Sequence, residues 1–298
     1  MKPHILITGA SGRVGQYLIR SLAMKGVRLR AGIRSGELHR LKISDVELVD
    51  FNYDDLALID RALQGIRVLF LVTPIAREQV EYARRTIDRA VLYGVEHIVT
   101  ISIMGADLEP GTQITRWHRR VERYLEDSGI AYTILRPNMY MQNFLRFMQP
   151  SGGFLFLPLN CAKISYVDAR DVASFSETVL MTGENHSNKI YEITGPGALS
   201  LENIAEIISS VSGSHVGYIP LQEDKTALHV MGSLGFPSWI SMVLLELYEQ
   251  QRLGYNERVS NALTEITGRK PVPFEVFALD HAELFKAIVS HKQYTHYS

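Results

Sequence analysis

The sequence is short of cysteine, of long apolar runs and of net charge, and each shortage excludes a class of protein. A single cysteine, Cys161, stands in 298 residues. With no partner in the chain, it allows neither an internal disulfide framework nor a zinc-ligand spacing, and a reducing, cytoplasmic setting is expected. No window reaches the roughly 18 apolar residues of a membrane-spanning helix. The most apolar stretches, such as Ile66–Pro74, are short enough to be buried strands. The opening MKPHILITGASG runs straight into a strand and a glycine loop, without the apolar stretch of a signal peptide. Lys and Arg number 31 against 32 Asp and Glu, a formal net charge of −1. Such a chain has no general field to gather nucleic acid or an anionic membrane, so a small molecule is the partner to expect. The basic cluster RWHRRVER (Arg116–Arg123) is short, contains an acid and reads as a solvated helix face. Neither an internal repeat nor a low-complexity tract nor a flexible linker is present.

The first half of the chain alternates two periodicities. Short β-branched runs occur at His4–Thr8, Val27–Ile33, Val46–Asp50, Arg67–Val72, His97–Ser102 and Ala131–Leu135. Helical spacing fills Val14–Met24, Asp55–Leu63, Gln79–Tyr93 and Ile114–Asp127. Near-continuous apolar strands alternating with amphipathic helices predict an α/β fold of Rossmann type, a doubly wound parallel sheet covered on both faces. After Pro150 the rhythm breaks. A Gly- and Pro-rich loop with a short strand (Ser151–Asn160) precedes a strand and helix in Lys163–Leu180 and a strand at Lys189–Thr194. From Ser200 the chain is mainly helical, with one strand at Gly217–Leu221. The expected division is a dinucleotide-binding domain over 1–150, completed by segments around 163–195, and a smaller substrate-binding lobe over 151–162 and 196–298. The cleft between them is the default ligand site. Helix Ser238–Gln250 carries apolar residues on several faces, so it is either buried between lobes or part of a homodimer contact.

The strongest signal is TGASGRVG, which leaves the first strand and opens the first helix. Gly9 permits the tight strand-to-helix turn, Gly12 lets the backbone approach a pyrophosphate, and Gly15 removes a Cβ where helix meets sheet. Ser11, Arg13 and Val14 complete the loop, and a bound pyrophosphate meets N–H groups at the positive end of the helix. Cofactor choice is read at the end of the second strand, where an acid would bind the ribose 2′-hydroxyl of NAD(H). The chain has Gly32, Ile33 and Arg34 there, and no acid before Glu37. Arg34 suits a 2′-phosphate, with Arg13 on the same side, and so favours NADP(H) over NAD(H). Asp50 and Phe51 end the third strand, and Thr73 and Pro74 the fourth. Each pair is either a cofactor contact or a strand terminator.

These residues, in this order, resemble the atypical short-chain dehydrogenases of the NmrA-like group. That group includes triphenylmethane and azo-dye reductases, NADPH-dependent quinone reductases and non-catalytic redox-sensing regulators. The matching pieces are TGASGRVG, Arg34, LVTP (Leu71–Pro74), GVEHIVTIS (Gly94–Ser102), His118–Phe144 and ISYVDARDVA (Ile164–Ala173). The resemblance implies NADP(H) at the glycine loop, with the nicotinamide near Ser102 and Pro137, Asn138 and Met139. It also sharpens a departure. Short-chain dehydrogenases move protons with Ser, Tyr and Lys, the last two in YxxxK. Ser102 keeps the serine place, while Ile114 and His118 fill the places of tyrosine and lysine. Alcohol dehydrogenation is thereby disfavoured, and hydride transfer to an electron-poor acceptor (quinone, dye, activated alkene or iminium) is expected. His118 is the candidate proton donor or substrate anchor, with Glu122 one turn along as its partner. Tyr140 is a further catalytic candidate, and Tyr140, Asn143, Phe154 and Tyr166 are candidate substrate-lining residues, although packing explains each equally well. The Met- and aromatic-rich Met139–Met148 and Phe154–Pro158 are either pocket wall or core. A cofactor-sensing regulator and an enzyme of a non-redox step are the competing functions.

Overall fold

The computed structural model describes residues 4–34, 36, 43, 46–222 and 224–290. The alternation continues through β1 (Ile5–Ile7), α1 (Arg13–Met24), β2 (Leu29–Ile33), β3 (Val46–Asp50), α2 (Leu56–Leu63), β4 (Val68–Leu71), α3 (Gln79–Leu92), β5 (His97–Ile101), α4 (Gln113–Asp127) and β6 (Ala131–Pro137). Helix starts fall where the sequence supplies caps. The Asp55 carboxylate accepts from the Ala57 and Leu58 N–H groups at α2, and Thr112 with Thr115 forms a capping box at α4. After β6 come β7 (Phe154–Leu157), α5 (Ala169–Met181) and β8 (Lys189–Ile193). Then follow α6 (Leu201–Ser212), β9 (Gly217–Pro220), α7 (Asp224–Ser233), α8 (Ser238–Arg252), α9 (Ala262–Thr267), α10 (Phe274–Asp280) and α11 (Ala282–Ser290).

Seven parallel strands pair in the order β3-β2-β1-β4-β5-β6-β8. The order reverses between β1 and β4, which opens a crevice beyond the carboxyl ends of those strands. Leu18, Ile19 and Leu22 of α1 and Val172, Phe175 and Val179 of α5 cover one face of the sheet. Ile59, Leu63, Ala83, Ile87, Val121 and Leu125, from α2, α3 and α4, cover the other. A separate core of Met141, Phe144, Tyr166, Ile204, Tyr248, Phe274, Phe277 and Phe285 holds the C-terminal helices together. There β7 and β9 pair as a parallel two-stranded ribbon. No helix among the described residues is long and apolar enough to cross a membrane.

Two local expectations change. The strand expected after Lys163 forms no ladder, because its polar groups go to three different segments. Ile164 bridges Leu199, Ser165 N–H donates to Asn256 O (3.1 Å), and Val167 N–H donates to Met139 O (2.9 Å). Helix α8, expected between lobes or at a homodimer contact, packs against α4 within this chain. It presents Val243 and Leu247 to Ile114 of α4, Trp239 stacks at a tilt on Trp117 (centroids 6.3 Å apart), and α7 packs against it as well.

Candidate active site

The glycine loop sets the floor of the crevice. Gly9 has φ +61°, and its carbonyl oxygen accepts from Gly12 N–H at 2.9 Å. A Cβ on Gly15 would stand 2.4 Å from that same oxygen, so the loop closes on α1 only because no side chain intervenes. No carboxylate occupies the first turn of α1, so the positive end of the helix keeps no internal counter-charge. Ser11 and Val14 are half-buried beside the exposed Gly12. The Arg13 side chain takes a direction the sequence did not suggest. Its Nη1 donates to Asn143 Oδ1 (3.0 Å) in the short 3-10 helix Met141–Leu145 that follows β6. It therefore leans towards the β6 side of β1, while Arg34 stands exposed at the end of β2 on the other side. The two arginines do not share a corner. Glu37 lies outside the described residues.

At the end of β3, the Asp50 Oδ1 is buried with no hydrogen-bond partner among the described residues. An orphaned carboxylate oxygen beside the crevice fits an exocyclic amino group such as that of adenine. Phe51 turns inward, 3% exposed, and packs beneath Gly32 and edge-on to Tyr53. It backs the crevice and does not face it. At the end of β4, Thr8 Oγ1 accepts from Val72 N–H (2.8 Å) and the Tyr53 hydroxyl donates to Val72 O (2.5 Å). These bonds hold the exposed Pro74 and the half-buried Thr73 at the crevice rim.

Ser102, one residue beyond β5, belongs to a buried ionic cluster. Its hydroxyl donates to Glu122 Oε1 (2.6 Å), and the Arg136 fork donates to both Glu122 oxygens (2.8 and 2.7 Å). Arg119 adds a further bond to Oε2 (3.1 Å). Burial pushes the Glu122 carboxyl up, but the Arg136 and Ser102 hydrogen bonds outweigh it and hold the group below the usual range. Its charge is thus committed, and the pairing expected with His118 does not form. His118 instead lies against the fully buried Gln79, whose Nε2 is 3.0 Å from His118 Nε2 and 3.3 Å from Thr73 Oγ1. Burial pushes the imidazole down to about 4, with Glu122 opposing weakly. Burial therefore favours the neutral imidazole at His118, and Gln79 takes the place of the expected Glu122 partner. Burial also pushes the Tyr140 phenol well above its ordinary value.

Beyond β6, the Pro137 carbonyl accepts from Met104 N–H (3.1 Å), tying the ends of β5 and β6 together. The Asn138 carboxamide is buried and bonded to both the main-chain carbonyl and the side-chain amide of Asn256. Asn138 Nδ2 donates to Asn256 O (2.9 Å), and Asn256 Nδ2 donates to Asn138 Oδ1 (2.7 Å). Met139 packs against both the C-terminal core and the small cluster of Ile103, Ile114, Trp117, Trp239, Val243 and Leu247. That cluster stands over the ends of β5 and β6, with the Arg77 guanidinium 5.6 Å from the Trp239 ring. The wall expected from Met139–Met148 is largely core, since Met141, Phe144 and Met148 are at most 2% exposed. Tyr166 is core as well, 2% exposed and edge-on to Phe144. Phe154 packs under Gly217 in the β7–β9 ribbon.

Residues 1–277 match the NmrA-like family. The chain belongs to the NmrA-like family. An NAD(P)H azoreductase of Xenophilus azovorans is 30% identical over 286 residues, covering 95% of this chain and 99% of the relative. A (4-alkanoyl-5-oxo-2,5-dihydrofuran-3-yl)methyl phosphate reductase of Streptomyces griseus is 34% identical over 286 residues, covering 94% and 99%. An NADPH-dependent quinone oxidoreductase of Escherichia coli, solved with NADPH, superposes with a TM-score of 0.83 at 27% identity, covering 93% and 99%. This NmrA-like chain is an NAD(P)H-dependent oxidoreductase, and NADP(H) is its cofactor. Gln79, Arg136 and the Trp117–Trp239 pair escaped the sequence reading. Only their fall at helix starts or beside the quoted family segments hinted at them.

Proposed function

We propose that this NmrA-like reductase acts on planar, electron-poor aromatic or conjugated molecules. The observation that carries the proposal is the pairing of an aromatic wall, Trp117 and Trp239 with Met139, with a crevice lacking a proton-moving pair. Ile114 and His118 stand where a tyrosine and a lysine would be needed to oxidise an alcohol, and Ile114 is buried against α8. The relatives named for azo, quinone and unsaturated lactone chemistry support the same reading.

The glycine loop and the free end of α1 would hold the pyrophosphate, Arg34 the 2′-phosphate, and Asp50 the adenine amino group. The cofactor supplies a hydride when bound. The chain's own residues do the rest. Ser102, held by Glu122, and Pro137, held by Met104, fix the floor. His118 offers an uncharged hydrogen bond to the acceptor. The indoles present flat apolar surface and exclude water. A neutral acceptor of this kind needs one proton per hydride, and solvent supplies it, because among the described residues the crevice lacks the tyrosine and lysine pair that would move it.

The test is NADPH oxidation against a panel of quinones and azo dyes, with NADP+ reduction by secondary alcohols in a parallel arm, repeated with Trp239→Ala. Turnover of the conjugated acceptors is expected, with KM raised roughly tenfold in the variant for the loss of a stacking contact worth about 1–1.5 kcal/mol. Oxidation of alcohols, or a variant with unchanged KM for every acceptor, would refute the proposal.

A further inference from the structure

Helix α1 has a second, polar face. Leu18, Ile19 and Leu22 point into the sheet core, while Arg13, Tyr17 and Arg20 follow one another along the opposite side, about one per turn. Facing them are Gln142 and Leu145 of the 3-10 helix and His281 and Leu284 at the start of α11. Between the two sides runs a groove of about 270 Å³, where one water needs roughly 10–15 Å³.

Among the described residues no acid lines this groove, and the nearby Asp168, which accepts from Gln142 Nε2 (2.8 Å), is already paired with Arg170. Arg13 is half-buried and, among the described residues, donates a hydrogen bond to the neutral Asn143. Burial and the nearby Arg146 guanidinium both push Arg13 below its ordinary value. Among the described residues, neither Arg13, Arg20 nor Arg146 has a carboxylate within ion-pair distance. The acids closest in sequence to His281 are already engaged, Asp280 by Arg170 and Glu283 by Lys286. His281 Nδ1–H donates to Phe277 O (2.8 Å), which leaves Nε2 as its second polar atom. Arg13 and Arg20 line the groove with Arg146 close to Arg13, none with a carboxylate partner among the described residues, and a multiply charged anion offsets the repulsion of these guanidinium groups.

We propose that this groove binds a phosphate group, free or as a phosphomonoester, at a site distinct from the seat of the cofactor pyrophosphate. Arg20 lies seven residues beyond Arg13, so it stands roughly 10 Å further along the helix axis. A pyrophosphate on the glycine loop does not reach it. Arg13 belongs to both places, as the first residue of α1 and as a wall of the groove, so occupancy of the groove is felt at the loop.

The experiment is calorimetric titration at low ionic strength of the full chain saturated with NADP+, with inorganic phosphate in one arm and glycerol 3-phosphate in the other. Saturable binding of one equivalent is expected in at least one arm, and the arm that binds identifies the source. Arg20→Glu weakens that binding at least tenfold and Arg20→Lys restores most of it, while NADP+ affinity stays within about twofold of wild type in both. Two results overturn the proposal: no saturable binding in either arm, or binding indifferent to Arg20→Glu. Phosphate that binds only the cofactor-free protein and competes with NADP+ overturns it too, because the anion is then on the glycine loop. A protein that fails to take up NADP+ at all exposes the failure of the cofactor assignment separately, in the first titration, and the phosphate arms are then read on the chain alone.

Discussion

Replacing Glu122 with Gln is the sharpest probe of how the crevice floor is held. Glu122 is fully buried, and its two oxygens accept four hydrogen bonds, two from Arg136 and one each from Ser102 and Arg119. Glutamine keeps the shape and one acceptor oxygen, but turns an NH2 group towards a guanidinium and removes the charge. Arg136, itself 5% exposed, then retains only the half-exposed Asp107 at 3.0 Å. Breaking a buried pair costs about 3–5 kcal/mol, and the surviving Asp107 contact puts the expectation near the lower end. Urea unfolding followed by circular dichroism measures it as a lower midpoint at unchanged slope. The pH dependence carries its own sign. The folded-state carboxyl lies below its ordinary value, so its contribution is complete above the unfolded value and fades as pH falls through the folded one. The gap between wild type and variant therefore closes in acid. Arg136→Met added to Glu122→Gln recovers part of the loss, because the unpaired charge goes with it. A single-variant loss under about 1 kcal/mol at pH 7 would show a solvated pair and refute the reasoning.

Arg34→Ala is expected to weaken NADPH binding about tenfold or more and leave NADH binding unchanged, as read by fluorescence titration of both cofactors. Equal effects on the two would remove Arg34 from the 2′-phosphate. Gly15→Ala puts a Cβ 2.4 Å from the Gly9 carbonyl oxygen, so the loop must shift; NADPH binding should be lost while the far-ultraviolet spectrum persists, and a variant with normal affinity would contradict the close packing. Burial raises the Asp171 carboxyl from 3.8 to about 6, against the opposing Val272 N–H bond. Its folded value exceeds its unfolded one, so its contribution is present below pH 4 and lost as pH rises through 6. Asp171→Asn should accordingly stabilise the protein by roughly 1–3 kcal/mol at pH 7.5 and give no gain at pH 4, in thermal or urea unfolding at the two values.

Much of the sheet domain was legible because its signals are local. The runs Val46–Asp50 and Gln79–Tyr93 read as strand and helix from spacing alone, and Asp55 and Thr112 mark helix starts through their side-chain caps. Helical periodicity fails where two residues on one face compete for partners from elsewhere. It placed His118 beside Glu122, but Glu122 goes to Arg136, a permanently charged fork delivered by the next strand, and His118 is left to Gln79. The Arg13–Asn143 bond spans 130 residues and the β7–β9 ribbon joins segments on either side of α5 and α6, so neither has a local signature. Tyr166 failed as a slot residue for a related reason. Family segments indicate that a stretch is near the site, not which of its side chains turn to it.

The Asn138–Asn256 clasp has a consequence for synthesis. Every strand up to β6 has emerged by Pro137, and the crevice floor starts with the next residue, but its clasp partner lies 118 residues later. At ~5–20 residues per second, a ribosome takes on the order of ten seconds to deliver it. For that interval the nascent chain carries a glycine loop and most of a sheet with an unfastened floor. The crevice is therefore finished late, when the segment through Asn256 and Arg258 docks on Asn138 and Ser165 and joins the last quarter of the chain to the first half.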